Sequence, residues 1–173
     1  MDILKQDIEE WVVQFVCVYN NELDAIPCPF AKQAMITNKI FYIEFVPEYE
    51  HITNCDHLIA ICENYTYHWP KGIEVIIIGC NPTIISAEEL NLVTNKVNDK
   101  FARKRGYIVL EDHPDEEENI NGASMNQGKW ALLFIQPEDK LNKASSLLKK
   151  QGYYNSWPKE AMDNVVNWRV EDE

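Results

Sequence analysis

The sequence predicts an α/β (α+β) sandwich: a four-stranded sheet covered by helices, with a ferredoxin-like arrangement as its candidate topology. Three observations predict it. Four short runs rich in β-branched, aliphatic and aromatic residues, at 40–46, 73–78, 107–110 and 130–135, alternate with or follow segments of helical periodicity. Two helix-start signatures, Thr53 to Asp56 and Ser86 to Glu89, each stand directly before an apolar stripe. The 173 residues carry no internal repeat, linker or low-complexity tract, which suits one domain with one core.

Taken in order, Ile8, Trp11, Val12, Phe15, Val16 and Tyr19 recur at three- and four-residue spacing and predict a first helix over 3–23, with Asp2 as its N-cap. Pro27 and Pro29 break it, since neither has an N–H to donate. Pro29 also suits the first position of a short helix from Phe30 to Met35. Ile40 to Val46 reads as a strand ended by Pro47. Leu58, Ile59, Cys62 and Tyr65 continue the stripe behind Thr53. Ile73 to Ile78 alternates too little to have a wet face, which predicts a central strand. Leu90, Val93, Val97 and Phe101 form the helix behind Ser86, ending near Gly106. Tyr107 to Leu110 and Trp130 to Ile135 supply the remaining strands, joined through 119–128 by a wide hairpin loop. Helices opened by Pro137 and Pro158 complete the chain.

Composition narrows the function classes. No apolar run approaches the roughly 20 residues that span a bilayer, and the first residues lack the basic and apolar regions of a secretory signal. The expected location is cytoplasmic. Five cysteines, an odd number with no CxxC pair, argue against a disulfide framework. A net charge of −12 repels phosphate backbones, so general nucleic-acid binding is not expected. The same charge favours docking on a basic surface of another protein. Richness in Asn, Ile, Lys and Glu fits an AT-rich genome, bacterial or viral.

Two segments carry candidate chemistry. If a helix begins at Pro29, Cys28 stands at its N-cap, where free N–H groups and the helix dipole favour a thiolate. Lys32 lies one turn further on and adds positive charge. Glu111-Asp112-His113-Pro114-Asp115 follows the third strand, where open α/β sheets commonly place ligand sites. His113 there is a candidate general base, oriented by Asp112 or Asp115. The loop 121–128 matches no phosphate-binding fingerprint. Cys55, His57, Cys62 and His68 do not converge on one helix face, so no metal site is expected. The sequence implies no cofactor.

Cys28-Pro29-Phe30-Ala31-Lys32 soon after an N-terminal helix, with His113-Pro114 after a later strand, resembles the uncharacterised DUF1415 family of small bacterial proteins. The resemblance implies one small α/β domain over residues 11 to about 150 and brings Cys28 and His113 forward as a pair. The chain departs from the family at Asp112, where the family has phenylalanine. It departs again at Asn121-Gly122-Ala123-Ser124, which lacks the family's arginine.

Two expectations result. The first is a non-catalytic binding or accessory protein acting through an acidic surface formed by 111–118 and Glu171 to Glu173. The second is a thiol-dependent enzyme or redox protein. In it Cys28 is the nucleophile, Lys32 its activator, and His113 the base held by Asp112 or Asp115.

Overall fold

The computed structural model describes residues 3–47 and 51–170; Asp2, expected as the first N-cap, and Glu171 to Glu173 lie outside the described residues. The elements run α1 (Ile3–Trp11), α2 (Ala31–Ile36), β1 (Ile40–Phe45), α3 (Asn54–Tyr67), β2 (Val75–Cys80), α4 (Ala87–Val97) and β3 (Tyr107–Asp112). There follow β4 (Asn119–Ile120), β5 (Ala123–Ser124), β6 (Ala131–Pro137), α5 (Glu138–Lys150) and α6 (Lys159–Met162).

The four-stranded sheet has the order β1-β2-β6-β3. β1 and β2 pair in parallel across α3, and β6 lies antiparallel between β2 and β3. The element order around the sheet is β-α-β-α-β-β, whereas a ferredoxin-like sheet follows β-α-β-β-α-β. The expected sandwich is therefore present with a different winding. β2 is an interior strand, in keeping with its unbroken apolar run.

Strand alternation divides the side chains into two layers. Ile76, Ile78, Cys80, Val109, Leu133 and Ile135 point into a core closed by α3 and α4, through Leu58, Cys62, Leu90, Val93 and Val97. Both helices are capped as their sequences require. The Thr53 hydroxyl accepts the Asp56 N–H at 3.1 Å, and Ser86 and Glu89 form a reciprocal capping box. On the opposite face Ile77 and Leu132 meet Leu4, Ile8, Val12 and Val16. Gly79 allows that approach, since a Cβ there would overlap Leu4 Cδ1 and stand 3.1 and 3.2 Å from its Cδ2 and Cγ.

The first helix is shorter than its apolar spacing predicts. α1 passes into one π-helical turn over Val12–Val16 and stops. The Asn20 side chain accepts the N–H groups of Glu22 and Leu23, both at 2.9 Å, while its main chain pairs with Ala25. An asparagine that satisfies local N–H groups in this way competes with continued helix. α4 likewise ends in a π-helical turn, Asn98–Ala102, and a short 3-10 turn that Gly106 closes at φ 80°. From that turn the buried Asn98 amide donates to the Val109 carbonyl at 2.8 Å and accepts the Val109 N–H at 2.9 Å.

α5 returns over β6 and β3 on the α1 side of the sheet. The C-terminal segment fixes its outer face through Arg169, which is 4% exposed. That guanidinium donates to Asn142 Oδ1 at 2.7 Å, Ser145 Oγ at 2.9 Å and the Val165 carbonyl at 3.0 Å.

Candidate functional site

With α1 and α2 over the β1–β2 half of the sheet and α5 over the β6–β3 half, a groove of about 520 Å3 remains between them. Val75, Ile77, Leu110 and Phe134 form its floor. Trp11, Phe15, Ala31 and Ala34 line one wall, and Leu141 and Ala144 the other. The polar groups sit at its ends. Asp112 and Glu118 line one end, Glu74 and Lys140 the other, where that pair stands 3.8 Å apart. A mostly apolar concavity with a few placed polar groups is the usual form of a small-molecule site.

The acidic end is built by the loop between β3 and β6. β4 and β5 make a two-residue ladder within it, tighter than the wide loop the sequence predicts. Asn126 is the organiser: its amide donates to Asp112 Oδ1 at 2.6 Å and its oxygen accepts the Glu118 N–H at 2.9 Å. Burial, then the charge of Glu116, pushes the Asp112 carboxyl up to about 6, against the Asn126 hydrogen bond. Burial also raises Glu118, helped by the charges of Asp112 and Glu116. The expected outward acidic surface is thus partly turned inward. Of the segment 111–118, Asp115, Glu116 and Glu117 are exposed, while Glu111, Asp112 and Glu118 are half-buried.

Cys28 lines the same groove. Its position is held from two sides: its N–H donates to the Val16 carbonyl at 2.9 Å, and the Tyr153 hydroxyl bonds to the carbonyls of Ile26 and Pro27 at 2.6 and 2.9 Å. Tyr153 and Trp157 belong to a third small cluster with Leu23, Ala25, Ile120 and Ala123. α2 begins at Ala31, with Phe30 as N-cap, so Cys28 precedes the cap instead of occupying it. Burial raises the thiol above its ordinary value, and the nearby N–H groups of Phe30 and Ala31 only oppose that shift. Lys32 is exposed, and its N–H and charge act on Cys17, whose thiol burial also raises.

His113 is turned to the other core. It is 1% exposed, with Nε2 3.0 Å from the Ile85 carbonyl and Nδ1 accepting the Asp115 N–H at 3.1 Å. An N–H donated to Nδ1 places the ring proton on Nε2, so both nitrogens are spent on the main chain. Asp115 contributes its backbone here, and its side chain is exposed. The pairing of Cys28 with His113 is therefore corrected: they pack on opposite faces of the sheet, because alternation sends Leu110 and Asp112 one way and Glu111 and His113 the other. Continuing the two-residue period one step past Leu110 is the signal that picks out Asp112. Nothing local marks Glu118.

A consequence for reactivity follows directly. Alkylation of the native protein at pH 7, read by mass spectrometry, is expected to modify Cys28 more slowly than a cysteine in an unstructured peptide, and faster only after unfolding. Rapid native modification near pH 6 would restore the activated thiolate.

A second, more open cleft of about 570 Å3 lies at the other end of the sheet, lined by Trp69, Lys71, Arg105 and Tyr107 among others. Two of the cations that line it are already engaged. Lys39 is 2.9 Å from Glu74, and Arg105 bonds Thr66 at 3.0 Å while lying over the Tyr67 and Phe101 rings. Among the described residues no group of three or more His, Cys, Asp or Glu is placed to hold a metal ion, and no helix is long and apolar enough to cross a membrane. No protein-family model matches the chain, and comparison with curated proteins and with solved structures returns no match.

Proposed function

We propose that this chain is a non-catalytic binding protein, and that the groove between α1–α2 and α5 is where it binds. The carrying observation is the groove itself: about 520 Å3 over an apolar floor, with its charged groups at the two ends. The raised Cys28 thiol and the fully bonded His113 ring favour binding over nucleophilic chemistry. The exposed Asp115, Glu116 and Glu117 support a second reading, docking of a basic protein surface beside the groove mouth.

The test is uptake of N-phenyl-1-naphthylamine, a neutral apolar fluorophore. Saturable enhancement is expected with the native protein. Ala144→Trp, which places a large ring in one wall, is expected to reduce that binding at least ten-fold while the circular dichroism spectrum is retained. No saturable signal, or equal binding by the folded variant, sinks the reading.

A further inference from the structure

An apolar groove with an anionic end selects for a ligand of complementary polarity, and here the polarity is asymmetric. At the end near Lys140, the nearest carboxylate, Glu74, lies 3.8 Å from Lys140 and 2.9 Å from Lys39, so its charge is already met. Asp112 and Glu118 differ. The polar partner fixed on Asp112 Oδ1 is the neutral amide of Asn126, and Asn126 meets Glu118 through the Glu118 main chain. No lysine or arginine forms an ion pair with either carboxylate among the described residues. Two half-buried carboxylates that line the same groove, the charge of Asp112 adding to the rise of Glu118, therefore stand at the end of an apolar trough without an ion-pair partner among the described residues.

Resting on the binding role proposed above, we infer that the groove takes a small hydrophobic amine, with its ammonium group between Asp112 and Glu118 and its apolar body on Ile77, Leu110 and Phe134. The ammonium supplies the countercharge that the fold withholds from the carboxylates. The desolvated setting makes each charge-assisted hydrogen bond stronger than it is in water. A carboxylate ligand of the same shape meets two like charges, and an alcohol meets none of opposite sign. The amine class follows from the combination of trough and paired acids.

The test compares three ligands of one chain length, octylamine, octanol and octanoate, by isothermal titration at pH 8 with the full chain. Octylamine is expected to bind at least ten-fold more tightly than octanol, and octanoate more weakly than either. Asp112→Asn and Glu118→Gln are each expected to weaken octylamine binding enough to remove most of that ten-fold preference over octanol. Glu117→Gln, which deletes the same charge from an exposed position, is expected to leave the preference intact. That control separates the groove from general attraction to a chain of net charge −12. Equal binding of amine and alcohol, or a preference that survives Asp112→Asn and Glu118→Gln, overturns the amine assignment and leaves the groove standing. Failure of all three ligands and of the naphthylamine probe removes the groove itself.

Discussion

Gly79→Ala is expected to destabilise the protein by about 3 kcal/mol, and Leu4→Ala by about 3 to 5 kcal/mol. Leu4 is fully buried and presses its side chain onto the β2 backbone at the one residue that has none. A methyl at 79 overlaps Leu4 Cδ1, so the Leu4 side chain must move within a fully buried core while the interior strand stays in place. Truncating Leu4 instead opens a cavity. The two losses share a cause, so the double variant Leu4→Ala/Gly79→Ala is expected to cost at least 1 kcal/mol less than their sum. Urea midpoints of the four proteins measure this. Strict additivity shows that α1 does not rest on Gly79.

Asp112→Asn is expected to have the opposite sign at neutral pH, stabilising the protein by about 2 kcal/mol. The folded carboxyl titrates at about 6, above its ordinary 3.8. A group raised on folding contributes fully below its unfolded value and loses that contribution as pH rises through its folded value. Native stability should therefore decline between about pH 4 and pH 6, with Glu118 and Glu111, also raised by burial, adding to the slope. Asp7 and Glu74, lowered by their lysine partners, act in the other direction, and only as pH falls toward and below their ordinary range. The asparagine variant retains an oxygen for the Asn126 amide and loses the charge. Its advantage should be present at pH 8 and gone at pH 4. Equal midpoints for the two proteins at pH 8 mean that Asp112 is not held in a costly environment. A carboxylate that weakens the fold and lines a groove is the pattern expected of a functional group.

Much of this architecture is legible from local signals. The β-branched run from Ile40 specifies β1, and the boxes at Thr53 and Ser86 place the starts of α3 and α4, because capping is decided within four residues. The apolar run of β2 reports its interior position. Where the sequence misleads, a non-local or competing interaction decides. The stripe continues past Val16, yet Asn20 ends the helix by capturing nearby N–H groups. Nothing in 131–137 states that β6 inserts between β2 and β3; pairing partners are chosen by the packed layers. The site shows the same division. Cys28 and the 111–115 segment are visible as chemistry-bearing residues, but the face each one takes depends on the sheet. Strand parity gives the groove to Asp112 and hides His113. The groove itself exists only once α5 has folded back beside α1.

The Asn98 amide on Val109 has a consequence for assembly. β3 is a sheet edge, and an edge strand's outward N–H and C=O groups are a template on which another chain can extend the sheet. At the middle of β3 a single side chain answers both groups, imitating the next strand. Growth from that side would first have to displace a buried amide. Any recruitment of an extended peptide, or edge-to-edge growth of the sheet, would thereby be directed to the β1 side, where among the described residues the strand pairs with β2 alone.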